Sequence, residues 1–115
     1  MLTRSHRFHG YGSLRRAYSQ GQTARGSLIS LRFSERPNKR PYRVAVVVSR
    51  KVNKSAVVRN RIRRRVYETV RLSTDIPESS DMVFTVFSDQ LAEIDKEQLN
   101  VQIQELITKA ATKPR

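Results

Sequence analysis

The sequence predicts an α+β fold in which a small mixed sheet is covered by helices, in the order α-β-β-β-α-β-α. Three observations lead to this prediction. A β-branched apolar run, YRVAVVVS at 42–49, is typical of a central strand that is covered on both faces. An aliphatic residue at every fourth position of 58–70 predicts a helix from about Ser55 to Leu72. Apolar residues at i, i+4, i+7, i+8 and i+11 from Leu99 onward predict a C-terminal helix.

A short helix is predicted near the N-terminus, in the stretch SLRRAYSQG. Ser13 can cap this helix and Gly21 can end it. Leu14 and Tyr18 are one helical turn apart, so we expect their side chains to project from the same side.

The remaining elements follow from local signals along the chain. Alternating residues at 27–33 predict a strand, and this region has room for an extra hairpin strand. Two prolines within 34–41 predict an exposed loop. The stretch 73–81 is predicted to be a break, and MVFTVF at 82–87 is predicted to be the last strand.

The charge of the chain indicates a polyanionic partner. The 115 residues carry a net charge of +13, which favours nucleic acid first and an anionic membrane surface second. Residues 1–74 contain 19 Lys and Arg but only Glu35 and Glu68 as acids, whereas residues 75–115 contain four Lys and Arg and eight Asp and Glu. We therefore expect the polyanion to contact the first two thirds of the chain.

Length and composition also limit the class of protein. The chain has the size of one domain, residues 1–115, in which 1–12 are expected to be a flexible basic N-terminus and 112–115 a disordered tail. It contains no Cys, which excludes disulfides and thiolate metal sites, and no apolar run long enough to cross a bilayer. The Arg- and Ser-containing N-terminus also fits a mitochondrial transit peptide, but its apolar residues form no sustained amphipathic stripe.

The densest positive charge lies on the predicted central helix. The stretch 54–71 contains six Arg and one Lys, with Glu68 as its only acid. A merely solvated helix face usually mixes both signs of charge, and cations near a helix N-terminus oppose the helix dipole. Arginine also binds phosphate through two parallel hydrogen bonds and stacks on bases. The pattern therefore favours nucleic-acid binding over a solvated face.

No residue pattern predicts a catalytic centre or a metal site in this chain. The two histidines, His6 and His9, lie in the basic N-terminus at a spacing that matches no pair of ligands. Asp75, Glu78 and Asp81 could bind a metal ion, but their position in a Pro-containing turn favours a solvated loop. The glycines are scattered and form no phosphate-binding loop.

The strand and helix together resemble the signature region of the bacterial ribonuclease P protein subunit. The resemblance rests on Ser49-Arg50-Lys51 at the end of the strand and on Arg59-Asn60-Arg61, Ile62 and Arg63-Arg64 at the start of the helix. The order of the predicted elements also agrees with this family over essentially the whole chain. The RNA-binding residues that the resemblance implies are Arg50, Lys51, Lys54, Arg59, Asn60, Arg61, Arg63 and Arg64.

The resemblance implies a function, partners and a fold. The family's protein binds a large catalytic RNA, which uses Mg²⁺ to remove the 5′ leader of precursor tRNA, so the protein is part of the enzyme but holds neither the catalytic residues nor a stable cofactor. In this family a cleft between the first helix and the sheet holds the leader. The resemblance implies that Leu14 and Tyr18 are the residues of this chain that line the cleft. The family's fold is ribosomal protein S5 domain 2-like, with a left-handed βαβ crossover. A cytoplasmic protein without a membrane partner is implied.

The chain departs from the family pattern at three places. Asn53 stands where the connection after the strand usually has Gly, and Leu14 stands where the first helix usually has Phe. The last strand usually runs into an Arg, and here Phe87-Ser88 follows instead.

Three other hypotheses remain open at this point. They are a ribosomal or other basic RNA-binding protein without a nuclease role, a DNA-binding protein, and a nuclease that acts alone. The sequence also leaves open the class of the partner RNA, the preferred leader sequence and the oligomeric state of the free protein. It leaves open as well whether Leu14 and Tyr18 contact the leader or belong to the core.

Overall fold

A four-stranded mixed sheet is the framework of the protein. The computed structural model describes residues 22–35, 41–73, 76 and 80–112. The strands are β1 (Gln22–Arg25), β2 (Ile29–Glu35), β3 (Arg43–Val47) and β4 (Ser80–Val86), in the spatial order β1-β2-β4-β3. β1 and β4 both pair antiparallel with β2, and β3 pairs parallel with β4.

Two α-helices complete the described part of the chain. Helix α1 (Ala56–Arg71) connects β3 to β4, and a 3₁₀ helix (Asp89–Ala92) leads from β4 to helix α2 (Lys96–Thr112). None of the described helices is long and apolar enough to cross a membrane. The predicted short helix at 13–21, the N-terminus at 1–12 and the last residues of the tail lie outside the described residues.

The predicted α+β class is confirmed. Three strands, α1, β4 and α2 follow one another in the predicted order. The extra hairpin strand is β1, which lies upstream of the region 27–33 in which we predicted it. The parallel β3–α1–β4 unit is present, since β3 pairs with β4 from Arg43 opposite Asp81 to Val47 opposite Thr85. The left-handed sense of its crossover stays a prediction.

The predicted position of the strand at 42–49 is wrong. We expected a central strand covered on both faces, but among the described strands β3 lies at the edge of the sheet and pairs with β4 alone. Along β3 only alternate residues are buried, whereas β4 is buried at every position except Thr85. The β-branched run made both strand faces apolar, but strand order depends on long-range pairing, which composition does not encode.

The helices pack on one face of the sheet. Strand register places Leu31, Val46 and Phe84 side by side on that face. They belong to one core with the buried stripe of α1, Ile62, Val66 and Val70, and with α2 residues such as Leu99 and Ile103. The opposite face has the polar and charged positions Thr23, Arg25, Ser30, Arg32, Arg43, Asp81 and Thr85. The same face also has the apolar positions Ala45, Val47 and Val83, of which Val83 is fully buried. The sheet therefore has an apolar helical side and a second side that mixes polar and apolar residues, which we call the polar side.

Asp81 corrects a second prediction. We placed it in a solvated turn, but it lies in β4 and is 6% exposed. Its two carboxylate oxygens accept hydrogen bonds from Nε and Nη2 of Arg43, each at 2.8 Å. The carboxylate is therefore part of a buried two-bond ion pair that joins β3 to β4 and is not a free metal ligand.

Replacing Ile62 with Ala is expected to lower the free energy of unfolding by about 2–5 kcal/mol, because its side chain is fully buried between α1 and the sheet. Urea unfolding followed by circular dichroism measures this. Val57→Ala is the control, since Val57 lies on the same helix and is 74% exposed. It should change stability by less than about 0.5 kcal/mol. Equal losses of stability in both variants would contradict the assignment of the buried stripe.

Candidate nucleic-acid interface

The connection between β3 and α1 presents three cations to solvent. Arg50, Lys51 and Lys54 are exposed, and their side chains make no hydrogen bond or ion pair within the part of the chain that the structure describes. A turn in which Val52 N donates to Ser49 O at 3.1 Å shapes the first part of the connection. These three predicted RNA-binding residues are therefore available to an external anion.

Asn53 holds the second part of this connection. Its side-chain Oδ1 accepts a hydrogen bond from Ser55 N at 2.8 Å, and its Nδ2 donates to Asp89 Oδ2 at 3.0 Å. Ser55 is the N-cap of α1, and its hydroxyl accepts from Val58 N. Asn53 thus joins the start of α1 to the 3₁₀ helix.

Arg59 faces the connection from the first turn of α1. Its Nη1 donates to the carbonyl oxygens of Asn53 and Lys54 at 3.0 and 2.9 Å. Because these bonds fix the backbone beside Lys54, Arg59 gives the cationic connection a defined shape. At least one of its guanidinium nitrogens is therefore committed within the chain.

Arg63 and Asn60 also bond to one another within the chain. Arg63 Nη1 donates to Asn60 Oδ1 at 2.7 Å, and Arg63 Nη2 lies 3.4 Å from Val48 O. Asn60 is exposed, so its amide nitrogen faces solvent while its oxygen accepts from Arg63. These two predicted RNA-binding residues are already oriented in the free protein.

Arg65 connects α1 to the segment that precedes α2. Its Nη1 donates to Leu91 O at 2.6 Å and its Nη2 to Ile94 O at 2.5 Å. Such charge-assisted bonds to carbonyls at the end of a 3₁₀ helix satisfy acceptors that have no helical partner. Arg65, which the sequence did not assign to RNA binding, is a structural residue within the arginine run.

Arg61 and Arg64 form the outward face of α1. Arg64 is exposed and has no partner among the described residues. Arg61 Nη1 lies 3.5 Å from Glu93 Oε1, but the two side chains are 59% and 78% exposed, so this ion pair contributes little. We call Arg50, Lys51, Lys54, Arg61 and Arg64 together the basic edge.

The basic edge does not extend to the last turn of α1, where the charges of Glu68 and Arg71 neutralise one another. Arg71 donates two hydrogen bonds to Glu68, at 3.1 and 2.8 Å. These bonds hold the pKa of Glu68 well below its usual range, at about 2. The positive charge is therefore concentrated in the N-terminal half of α1 and the connection before it, where the first turn contains no acid.

A further cation lies beside the polar side of the sheet, and the sequence did not single it out. The guanidinium of Arg25 lies over the ring of Phe87, 5.8 Å from its centre. Phe87 is 45% exposed, and its backbone N donates to Leu28 O at 2.8 Å. The two residues meet only through the β1–β2–β4 register, for which no local sequence signal exists.

This pair and the basic edge share one end of the sheet. β1, β3 and β4 run in the same direction, so their carboxyl ends lie at the same edge. Of the predicted site residues, Arg50, Lys51 and Lys54 follow β3 at this edge. Arg59 and Arg63 bond to the backbone of Asn53, Lys54 and Val48. Asn60, Arg61 and Arg64 lie in the same N-terminal half of α1. Leu14 and Tyr18 lie outside the described residues. Among the described residues, no group of three or more His, Cys, Asp or Glu could hold a metal ion.

An α+β domain with available, preoriented arginines at the edge of its sheet has the features of a basic nucleic-acid-binding protein. The family model described as Ribonuclease P matches residues 2–111, so the chain belongs to the ribonuclease P protein family. The "Ribonuclease P protein component" of Roseiflexus castenholzii is 37% identical over 111 residues, covering 95% of this chain and 88% of the relative. That of Chloroflexus aurantiacus is 33% identical, covering 98% and 83%.

Solved structures support the fold independently. The RNase P protein of Staphylococcus aureus superposes with a TM-score of 0.78 over 95% of this chain and 97% of its own, at 17% identity. The RNase P protein of Thermotoga maritima gives a TM-score of 0.74 over 84% and 89%, at 21% identity.

The family resemblance read from the sequence is confirmed. The chain is a protein component of ribonuclease P and has a role in tRNA 5′ processing, as part of a holoenzyme that includes an RNA subunit.

Replacing Arg65 with Ala is expected to destabilise the protein by about 1.5–3 kcal/mol, because two carbonyl oxygens lose a charged donor. Arg64→Ala removes the same charge one residue earlier, where no bond within the described residues is broken, and should cost less than about 0.5 kcal/mol. Thermal unfolding of the two variants compares them directly. Equally small losses of stability in the two variants would show that Arg65 is a solvated residue that does not stabilise the fold.

Proposed function

We propose that the basic edge binds the RNA subunit of ribonuclease P and thereby helps the RNA to remove the 5′ leader of precursor tRNA. The observation that carries this proposal is the division among the arginines of one segment. Arg59 and Arg65 hold the backbone, whereas Arg64 and the connection cations have no partner among the described residues. Available cations on a rigid support bind phosphates without a large ordering cost.

The RNA subunit is the catalyst in this proposal, and the protein alone is inactive. Mg²⁺ works with the RNA subunit, where phosphate oxygens are the hard ligands that this ion prefers. The protein contributes positive charge that lowers the repulsion between the RNA subunit and its RNA substrate. We place this reaction in the cytoplasm, where precursor tRNA is made in bacteria.

The single-stranded leader is proposed to follow the polar side of the sheet. Arg25 supplies a cation there, and Phe87 supplies an exposed ring on which a base can stack. Leu14 and Tyr18 are proposed to contact the leader as well, as the family resemblance implies. The leader and the RNA subunit would then be held at the same end of the sheet.

Replacing both Arg61 and Arg64 with Ala is expected to weaken binding to the RNA subunit. The slope of log K against log salt should become shallower by about 0.7–0.9 for each phosphate that the variant no longer binds, because fewer counterions are then released. Filter binding over a series of salt concentrations measures both quantities. Arg59 is left intact because its replacement would also disturb the connection.

Arg71→Ala is the control for this experiment, since Arg71 lies on the same helix but is paired with Glu68. Its salt slope should remain that of the wild type. If the salt slope of the variant that lacks both Arg61 and Arg64 also equals that of the wild type, the basic edge is solvated and binds no phosphate.

Tyr18→Leu is expected to weaken binding of precursor tRNA to the assembled holoenzyme while leaving binding of mature tRNA unchanged. The reason is that mature tRNA has no leader, and removing a base stack typically costs about 1–3 kcal/mol. Phe87→Leu tests the other proposed stacking residue in the same assay. If a variant weakens binding of both tRNA forms equally, or of neither, the substituted residue does not contact the leader.

A further inference from the structure

A groove separates α1 from α2 on the helical side of the sheet. It has a volume of about 460 Å³, within the range of about 300–1,000 Å³ typical of small-molecule sites. Two apolar residues line it: Leu72, which is 65% exposed, and Leu99, which is buried in the core with 1% of its surface exposed. The apolar side chain that the groove offers to a ligand is therefore Leu72. A groove of this size is large enough for a nucleobase.

The groove is held open at both ends by contacts between the two helical segments. At one end Arg65 bonds to the carbonyls of Leu91 and Ile94, just before α2 begins. At the other end Gln104 of α2 donates to the hydroxyl of Ser73, which follows α1. Apart from Arg64, the residues that line the groove lie at or between these two contacts, which limit how far the two helices can move apart.

The rim of the groove is cationic. Glu68 is neutralised by Arg71, and Arg65 is used by the two carbonyls. Arg64 and Lys96, which have no partner among the described residues, therefore dominate the rim and face one acid, Glu97.

The rim also offers one amide side chain. Asn100 is exposed and lines the groove on the α2 side. Its side chain has both a donor and an acceptor, which is the combination that can pair with the edge of a base.

We propose that this interhelical groove binds one unpaired nucleotide of the RNA subunit. The base packs against Leu72, with its edge at Asn100. The phosphate is held by Arg64 and Lys96. This inference rests on the proposed function, because Arg64 belongs to both the basic edge and the groove and makes the two surfaces continuous.

The charges favour this occupant over others. A second copy of the chain would bring a net charge of +13 to a cationic rim, which repels it. The precursor leader is assigned to the polar side of the sheet, whereas the groove lies on the helical side. An unpaired nucleotide combines a flat apolar base with a phosphate, which matches an apolar floor beside two cations.

Site-specific crosslinking tests the proposal, because the chain contains no cysteine of its own. Leu72→Cys is labelled with a short photo-crosslinker, and Val101→Cys is the matched control on α2, 54% exposed and outside the groove. Both are assembled with the in vitro-transcribed RNA subunit and precursor tRNA. We expect the Leu72 probe to crosslink to one or two unpaired nucleotides of the RNA subunit, at least about tenfold more efficiently than the control.

A second measurement avoids the bulk of the probe. Leu72→Ser should weaken binding of the RNA subunit by about tenfold without changing the salt slope, because the substitution removes apolar surface and leaves every charge in place. Val101→Ser should leave both quantities unchanged. This pattern differs from that of the basic edge, where the salt slope falls.

Each outcome supports or overturns the proposal. The proposal is overturned if the Leu72 probe crosslinks to precursor tRNA or to a second protein molecule, or if its crosslinks are spread over the RNA as in the control. It is also overturned if Leu72→Ser binds the RNA subunit with unchanged affinity. If the wild-type protein fails to bind the RNA subunit or to stimulate cleavage, the proposed function fails. If the wild type succeeds and the Leu72 variants behave as their controls, only the groove assignment fails.

Discussion

The packing of α1 on the sheet is the constraint on which the rest of the structure depends. Ile62, Val66 and Val70 are fully buried, and this fixes the rotation of the helix about its axis. Every arginine of the helix then has a direction that it cannot change without exposing the stripe. Arg65 must point toward the 3₁₀ helix, and Arg64 must point outward. A loss of apolar packing would therefore disorganise the cationic surface as well as the core.

The arginines of one short segment have two different tasks. Those that reach backbone carbonyls shape the connection before α1 and the segment before α2, because a guanidinium can satisfy two acceptors at once. Those that project into solvent are proposed to supply charge to a partner. Positive charge near the N-terminus of a helix is unfavourable in isolation, because it opposes the helix dipole. A bound phosphate backbone would make the contribution of the same charges favourable. The ribonuclease P family provides such a partner in its RNA subunit.

The sheet separates the surfaces on which the two kinds of RNA are proposed to bind. Its helical side carries α1, α2 and the interhelical groove, while its polar side carries the Arg25–Phe87 pair. The parallel pairing of β3 and β4 brings the connection cations and Phe87 to one edge. Because the shared edge is built on paired strands, the two surfaces keep a fixed distance from one another. On the proposed function, the holoenzyme would thus hold its RNA subunit and its substrate in one geometry.

The sequence by itself determined the class of the fold, the two described helices and the family. These depend on periodicity and on a compact motif from Ser49 to Arg64, both of which are local properties of the chain. Only the tertiary structure decided that β3 is an edge strand, that Asp81 is paired with Arg43, and which of the described arginines bond to the backbone. Arg64 and Arg65 are adjacent and chemically identical, yet Arg64 projects into solvent and Arg65 is bound to the carbonyl of Leu91. The difference lies in what stands opposite each side chain, and that is set by contacts between residues far apart in the chain.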